Sequence, residues 1–155
     1  MMDKDLREIL FALNAHDVEY LVVGGYAVGV YTEPRTTKDL DVFVRSNAEN
    51  SPKVFRALAE YGAPLDGMTP DDFNDRPTTI FQIGTPPLRI DILQRITGVD
   101  FDEAWAERVE GFLDGIPTHV ISREHLIRNK LAVGRKQDIL DVENIREAAL
   151  HDPKA

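Results

Sequence analysis

Apolar residues recur every three to four positions at the start of the chain. Leu6, Ile9, Leu10 and Leu13 share one helical face, so residues 3–15 are predicted to form an amphipathic helix. The period then changes. Val18–Val23 is apolar and β-branched and reads as a buried strand. Gly24-Gly25 interrupts it, ahead of a short helix to about Tyr31. Asp39–Val44 alternates polar with apolar residues, which predicts a strand with one wet or functional face. Val54, Phe55, Leu58 and Ala59 make the stripe of the next helix. Ser51-Pro52 is read as its N-cap and first turn, and Gly62 as its stop. Residues 62–76 are rich in Gly, Pro and Asp and predict a loop, long enough to be a lid or disordered. Two strands follow, Thr78–Ile83 and Leu88–Leu93, joined by the turn residues Gly84-Thr85-Pro86-Pro87. Asp100 is placed to cap a short helix around Ala104 and Trp105. Glu107–Leu113 and Ile116–Ile121 flank Asp114-Gly115, a strong two-residue hairpin signal. Ser122 opens a helix to Val133, Gly134 closes it, and a last helix runs from about Gln137 to Leu150. The order α-β-α-β-α-β-β-α-β-β-α-α predicts a mixed α/β or α+β domain, a modest sheet with helices against it. No repeat or linker divides residues 1–155, and helices 122–150 are expected to pack on the rest.

Composition narrows the class more than the function. A chain of 155 residues, 43% apolar and 29% charged, has the balance of an ordinary globular domain with a core. No apolar run approaches the ~18 residues of a membrane span. Met1–Arg7 is polar and acidic, unlike a secretory signal. Cysteine is absent, which excludes disulfides and thiolate chemistry, and a cytoplasmic location is the expectation. The net charge of −9 argues against a broad basic surface for nucleic acid. It reflects either solubility alone or acid concentrated at a cation site. His16, His119, His125 and His151 show no metal-ligand spacing, and neither G-x-S-x-G nor H-E-x-x-H occurs.

Four features carry candidate chemistry. In Asp39-Leu40-Asp41-Val42, residues two apart face the same way, so Leu40 and Val42 turn inward while Asp39 and Asp41 stand side by side. Adjacent carboxylates repel each other. A divalent cation between them relieves that repulsion, and solvation on an exposed face is the plainer alternative. Gly24-Gly25 ends a strand where the backbone can approach a ligand closely, and a helix starting there offers free N–H groups to a phosphate. The pair fits neither a Walker loop nor a dinucleotide fingerprint, so a plain strand-to-helix turn is the other reading. Asp91 sits inside the apolar run Leu88–Leu93 and needs a salt bridge, an exposed edge or a metal. Lys130 falls on the apolar stripe of Leu126, Ile127, Leu131 and Val133, and Asp138 on that of Val142, Ile145 and Ala149. They either pair with each other, or Lys130 meets a phosphate; Asp138 also suits a first helical turn.

Taken in order, a Gly-Gly pair after a strand, 13 residues, Asp39-Leu40-Asp41, then the distal Asp91 resembles the polymerase-β-like nucleotidyltransferase superfamily. Arg35-Thr36-Thr37-Lys38-Asp39-Leu40-Asp41 is similar to the R-x-T-x-D-h-D form of AbiEii-type proteins. Lys130 to Asp141, with Gly134, Arg135 and Asp138 between them, is similar to their K-h-x-A-G-R-x-K-D-x-x-D segment. Val133 and Gln137 depart from it, standing where a small and a basic residue are usual. The resemblance implies an α+β, nucleotidyltransferase-like mixed sheet packed against helices. It implies an enzyme that moves a nucleoside monophosphate from an NTP such as ATP to an acceptor hydroxyl on RNA, protein or a small molecule. Two Mg²⁺ ions, or Mn²⁺ in their place, would be held by Asp39, Asp41 and Asp91, with Asp91 beside the acceptor. Gly24, Gly25 and Thr37 would receive the triphosphate, with Lys130, Arg35 and Asp138 completing the nucleotide site. A toxin–antitoxin role, with a cognate antitoxin or helical partner protein, is a further implication. The alternative is a non-catalytic nucleotide-binding or antitoxin-like protein of the same fold.

Overall fold

The computed structural model describes residues 2–33, 39–74, 80–85 and 87–152. The first helix, α1 (Lys4–Ala15), forms where its apolar stripe predicts, and Asp3 caps it by accepting the Asp5 N–H at 2.8 Å. A turn through Asp17, in the left-handed region at φ 55°, delays strand β1 to Tyr20–Val23. Helix α2 (Gly24–Tyr31) and strand β2 (Asp39–Val44) follow, then α3 (Asn50–Tyr61). Next come β3 (Phe81–Ile83), β4 (Arg89–Leu93), α4 (Phe101–Ala106), β5 (Val109–Leu113), β6 (Ile116–Val120), α5 (Arg123–Val133) and α6 (Lys136–Leu150). The strands form one six-stranded sheet in the order β3-β4-β2-β1-β6-β5. The β2–β4 and β1–β6 pairs are parallel and the others antiparallel, so the sheet is mixed and the class is α+β.

Alternation along the central strands feeds two cores, one on each face of the sheet. Val22, Leu40, Val42, Ile90 and Ile92 face the stripe of α1 and the Val54 and Leu58 side of α3. Leu21, Val23 and Phe43 face Ala27 of α2, Phe101 of α4, Leu126 of α5 and Ile145 of α6. Burying each of these larger side chains contributes on the order of 1.5–3 kcal/mol. The second core matters most for the site, because it holds α2, α5 and α6 over the face that carries the acids. The β5–β6 turn is the predicted one: Asp114 and Gly115 have φ of 50° and 81°, the two positive values a type I′ turn requires.

Two local expectations are corrected. Ser51 does not cap α3, which starts one residue earlier. Asn47 does that work, its Oδ1 accepting the N–H groups of Glu49 (3.1 Å) and Asn50 (2.7 Å). The Ser51 hydroxyl instead lies 2.6 Å from the Asn47 carbonyl and 2.9 Å from that of Phe73, tying the helix to the following segment. That segment is not a bare loop. Pro70–Phe73 forms a 3₁₀ turn, and Phe73 is buried edge-on between Phe55 and Phe81. Thr78 and Thr79 of the predicted strand lie outside the described residues.

Candidate active site

The parallel β2–β4 ladder sets residue against residue: Asp39 opposite Arg89, Asp41 opposite Asp91 and Phe43 opposite Leu93. On its other side, Asp41 is opposite Val23, the last residue of β1. The two-residue period then places Asp39, Asp41, Arg89 and Asp91 on one face, at the edge of the second core. Asp41 is therefore the centre of the group, with Asp91 on one side and the β1–α2 junction on the other. That junction strongly favours glycine. Gly24 has φ 67°, and a Cβ built on it would overlap the Asp41 carboxylate. The helix N-terminus it begins has no side-chain cap.

Charge in this group is not balanced. Burial pushes the Asp41 carboxyl up to about 6, and the neighbouring Asp91 and Asp39 carboxylates add to the rise; Lys130 and Arg89 oppose it. Asp91 is raised for the same first reason, burial, with Asp39 adding to it and Arg89 opposing. Arg89 is the local cation. Its Nε lies 3.2 Å from Asp91 Oδ1, and its Nη2 lies 3.6 Å from Asp39 Oδ2.

Across the cleft, α5 and α6 present a second charged group. Lys130 is buried, its Nζ 3.2 Å from Asp138 Oδ1 and 3.0 Å from Asp141 Oδ2. Arg135 closes on Asp138 with its Nε at 2.7 Å and its backbone N–H at 3.1 Å. Gln137 donates to Asp141 Oδ1 at 2.8 Å. The Arg135 hydrogen bond, aided by Lys130 and against the cost of burial, holds Asp138 down at about 2. Between the two groups lies a cleft of about 490 Å³, lined by five carboxylates (Asp39, Asp41, Asp91, Asp138 and Asp141) and four cations (Arg89, Arg95, Lys130 and Arg135), together with Gly24 and Gly25.

The structure thus brings together Gly24, Gly25, Asp39, Asp41, Asp91, Lys130 and Asp138 around one cleft. Arg35 and Thr37 lie outside the described residues. Of the two readings of Lys130, pairing with Asp138 is observed. Sequence reasoning did not assign Asp141 or Arg89. Asp141 had a signal, since it stands three residues after Asp138 beside the same apolar stripe. Arg89 had only its two-residue offset from Asp91.

Asp41 and Asp91 offer the oxygen ligands a divalent cation takes, and their mutual repulsion is what such a cation relieves. Among the described residues, no three His, Asp or Glu side chains stand as a ready-made metal cage. The Arg89 guanidinium, paired with both Asp39 and Asp91, lies among the carboxylates that would form one. The donor set fits the ion, with Arg89 paired to two of the three acids.

A mixed sheet with carboxylates paired on adjacent strands, next to a strand that ends in Gly-Gly and turns into a helix, is the framework of a nucleotidyltransferase. The chain belongs to the family described as nucleotidyl transferase of unknown function (DUF2204), which it matches over residues 2–153. Solved structures share the fold at low identity. The lincosamide antibiotic adenylyltransferase LnuA, with lincomycin bound, is 18% identical, with 96% of this chain and 98% of LnuA covered, at a TM-score of 0.60. ANT(2")-Ia in complex with adenylyl-2"-tobramycin is 15% identical, covering 93% and 87%, at 0.64. The Thermotoga maritima protein TM1012 is 16% identical, covering 95% and 91%, at 0.58. No curated protein matches the chain. Among the described residues, no helix is long and apolar enough to cross a membrane.

Proposed function

We propose that this protein transfers a nucleoside monophosphate from an NTP to a hydroxyl of a small molecule, using divalent ions held by Asp39, Asp41 and Asp91. The observation that carries this reading is the register of Asp41 against Asp91, with Gly24 pressed on the first of them. Mg²⁺ suits an all-oxygen set and Mn²⁺ can replace it; when bound, the ions would neutralise charge on the attacking and leaving oxygens. Gly24 and Gly25 offer backbone N–H groups to the triphosphate at the start of α2. Lys130, fixed between two buried carboxylates, contributes a stationary positive charge on the opposite wall. Asp138 acts by holding Lys130 in place. Arg35 and Thr37 complete the phosphate site on the strength of the sequence pattern they share with AbiEii-type proteins. Asp91 accepts the proton of the acceptor hydroxyl, a role that its raised pKa suits.

A second cleft of about 540 Å³ adjoins the first and shares Arg95 and Ile96 with it. We assign the acceptor to it. Its volume is that of a small-molecule site, and the net charge of −9 disfavours a long polyanion. The lincomycin of LnuA and the adenylyl-2"-tobramycin of ANT(2")-Ia support a hydroxylated small molecule. The AbiEii-type pattern supports the phosphate site, and a protein partner of antitoxin type would be a separate consequence of it.

The test supplies Mg²⁺, each α-labelled NTP in turn, and cell extract separated into small-molecule, RNA and protein fractions. Label should move into the small-molecule fraction with the wild type and stay in the NTP with Asp41→Asn. Nucleotide binding with no transfer to any fraction would make the protein a non-catalytic binder.

A further inference from the structure

Arg89 competes for the carboxylates that the proposed ions need. It stands two residues before Asp91 on β4, so both side chains turn into the same cleft. A guanidinium is wide and planar and can reach two carboxylates at once, where a small ion would sit between them. Here it reaches Asp91 at 3.2 Å and Asp39 at 3.6 Å. The contact is loose. Nε makes no in-line hydrogen bond to Asp91, and the Nη2 bond to Asp91 Oδ2 is stretched to 3.5 Å. The side chain is 31% exposed, so leaving the acids needs a change of rotamer and no unfolding. It also lines the cleft that holds Gly24, Gly25 and Lys130, where phosphates would lie. Phosphate is the other anion that a guanidinium grips with two bonds.

We propose that Arg89 is a positioning residue that holds Asp39 and Asp91 until a divalent cation displaces it, and then turns to the phosphates of the NTP. The inference rests on the reading of this cleft as the nucleotidyl-transfer site. Metal alone then binds weakly, because it must displace one cation and settle beside it. Metal with nucleotide binds much better, because the nucleotide gives Arg89 a new anionic partner. Each ligand raises the affinity of the other by the same factor.

The full chain is titrated with Mn²⁺ and read by electron paramagnetic resonance, with and without α,β-methylene-ATP, whose α–β bridge cannot be cleaved in transfer. Circular dichroism melts check the fold of each variant. Arg89→Gln should bind Mn²⁺ alone at least about fivefold more tightly than wild type, and should lose most of the further gain that the analogue gives wild type. Arg89→Lys, which keeps the charge but not the reach, should fall between the two. A merely structural arginine would weaken both ligands together. Mn²⁺ affinity in folded Arg89→Gln equal to or below wild type overturns the inference and leaves the proposed function standing. Should that variant fail to fold, Arg89→Lys decides alone, and an affinity no higher than wild type overturns the inference. Wild type that binds no Mn²⁺ even with the analogue removes the proposed function and this inference with it.

Discussion

Two charged groups face each other across one cleft, and they are balanced in opposite ways. On the helices, two carboxylates meet Lys130 and Arg135, and Asp138 is held at about 2. On the sheet, Arg89 pairs with two of the three carboxylates, and Asp41 is driven up to about 6. Burial is the first cause of the rise at Asp41, whereas at Asp138 the Arg135 hydrogen bond outweighs it. Charge adds to the difference: Asp138 has Arg135 and Lys130 in direct contact, whereas Asp41 is flanked by Asp39 and Asp91. The helix group is complete and acts as a clasp between α5 and α6. Among the described residues the sheet group has one paired arginine for three carboxylates, an imbalance that the proposed divalent ions would relieve.

The largest effect that tests this contrast is chemical. Asp41→Asn should lower label transfer by on the order of 10³-fold, the scale seen when a single charge-stabilising group is lost from an active site. It should leave the melting temperature equal or higher, since it removes a repelled carboxylate. A variant that loses both activity and fold would place Asp41 among structural residues. The opposite profile is expected on the helix side. Lys130→Met leaves Asp138 and Asp141 buried without their shared cation and should cost about 3 kcal/mol in urea unfolding. Unchanged stability there would mean that the clasp is dispensable. Gly24→Ala comes next, with a strained φ and a methyl group against the Asp41 carboxylate. It should cost about 1–2 kcal/mol of stability, with activity falling more steeply than that loss.

The smallest effect, and the most direct comparison, is the pH dependence of stability. Asp138 is held below its unfolded value of 3.8, so the stability it confers is present above that pH and is lost as pH falls toward about 2. The amount is about 1 kcal/mol once screening at the exposed Arg135 is allowed for, and Asp138→Asn should remove that acid limb. Asp41 is raised above the same reference, so the folded state binds its proton more tightly. Stability should therefore fall as pH rises from about 4 to about 6. In denaturant titrations, that falling limb should shrink in Asp41→Asn to what the raised Asp91 contributes, and shrink when Mg²⁺ is added.

Most of this organisation was legible before any coordinates, and the reason is local. Elements defined by periodicity, such as α1 and β2, and by turn chemistry, such as Asp114-Gly115, fell where they were read. Ser51 misled because a serine before a proline fits a cap, whereas Asn47, four residues earlier, accepts the N–H groups of Glu49 and Asn50. Phe73 was hidden in a segment whose composition reads as loop, since a single aromatic has no period to betray it. For the site, the order of motifs located Asp41 and Asp91, but their side-by-side register depends on which strands pair. Arg89 shows the limit most clearly. Its partner Asp39 is 50 positions away and becomes its neighbour only through the β2–β4 ladder.

That ladder has a consequence for assembly. The stretches carrying Asp39-Asp41 and Asp91 are parallel neighbours, so the chain between them must travel out through α3 and return before they can meet. No short hairpin can bring these acids together early, and the cost of closing so long an excursion falls on the cooperative step that completes the sheet. The proposed capacity to bind a divalent ion should therefore arise all at once with the native state, which would make the ion a faithful reporter of complete folding.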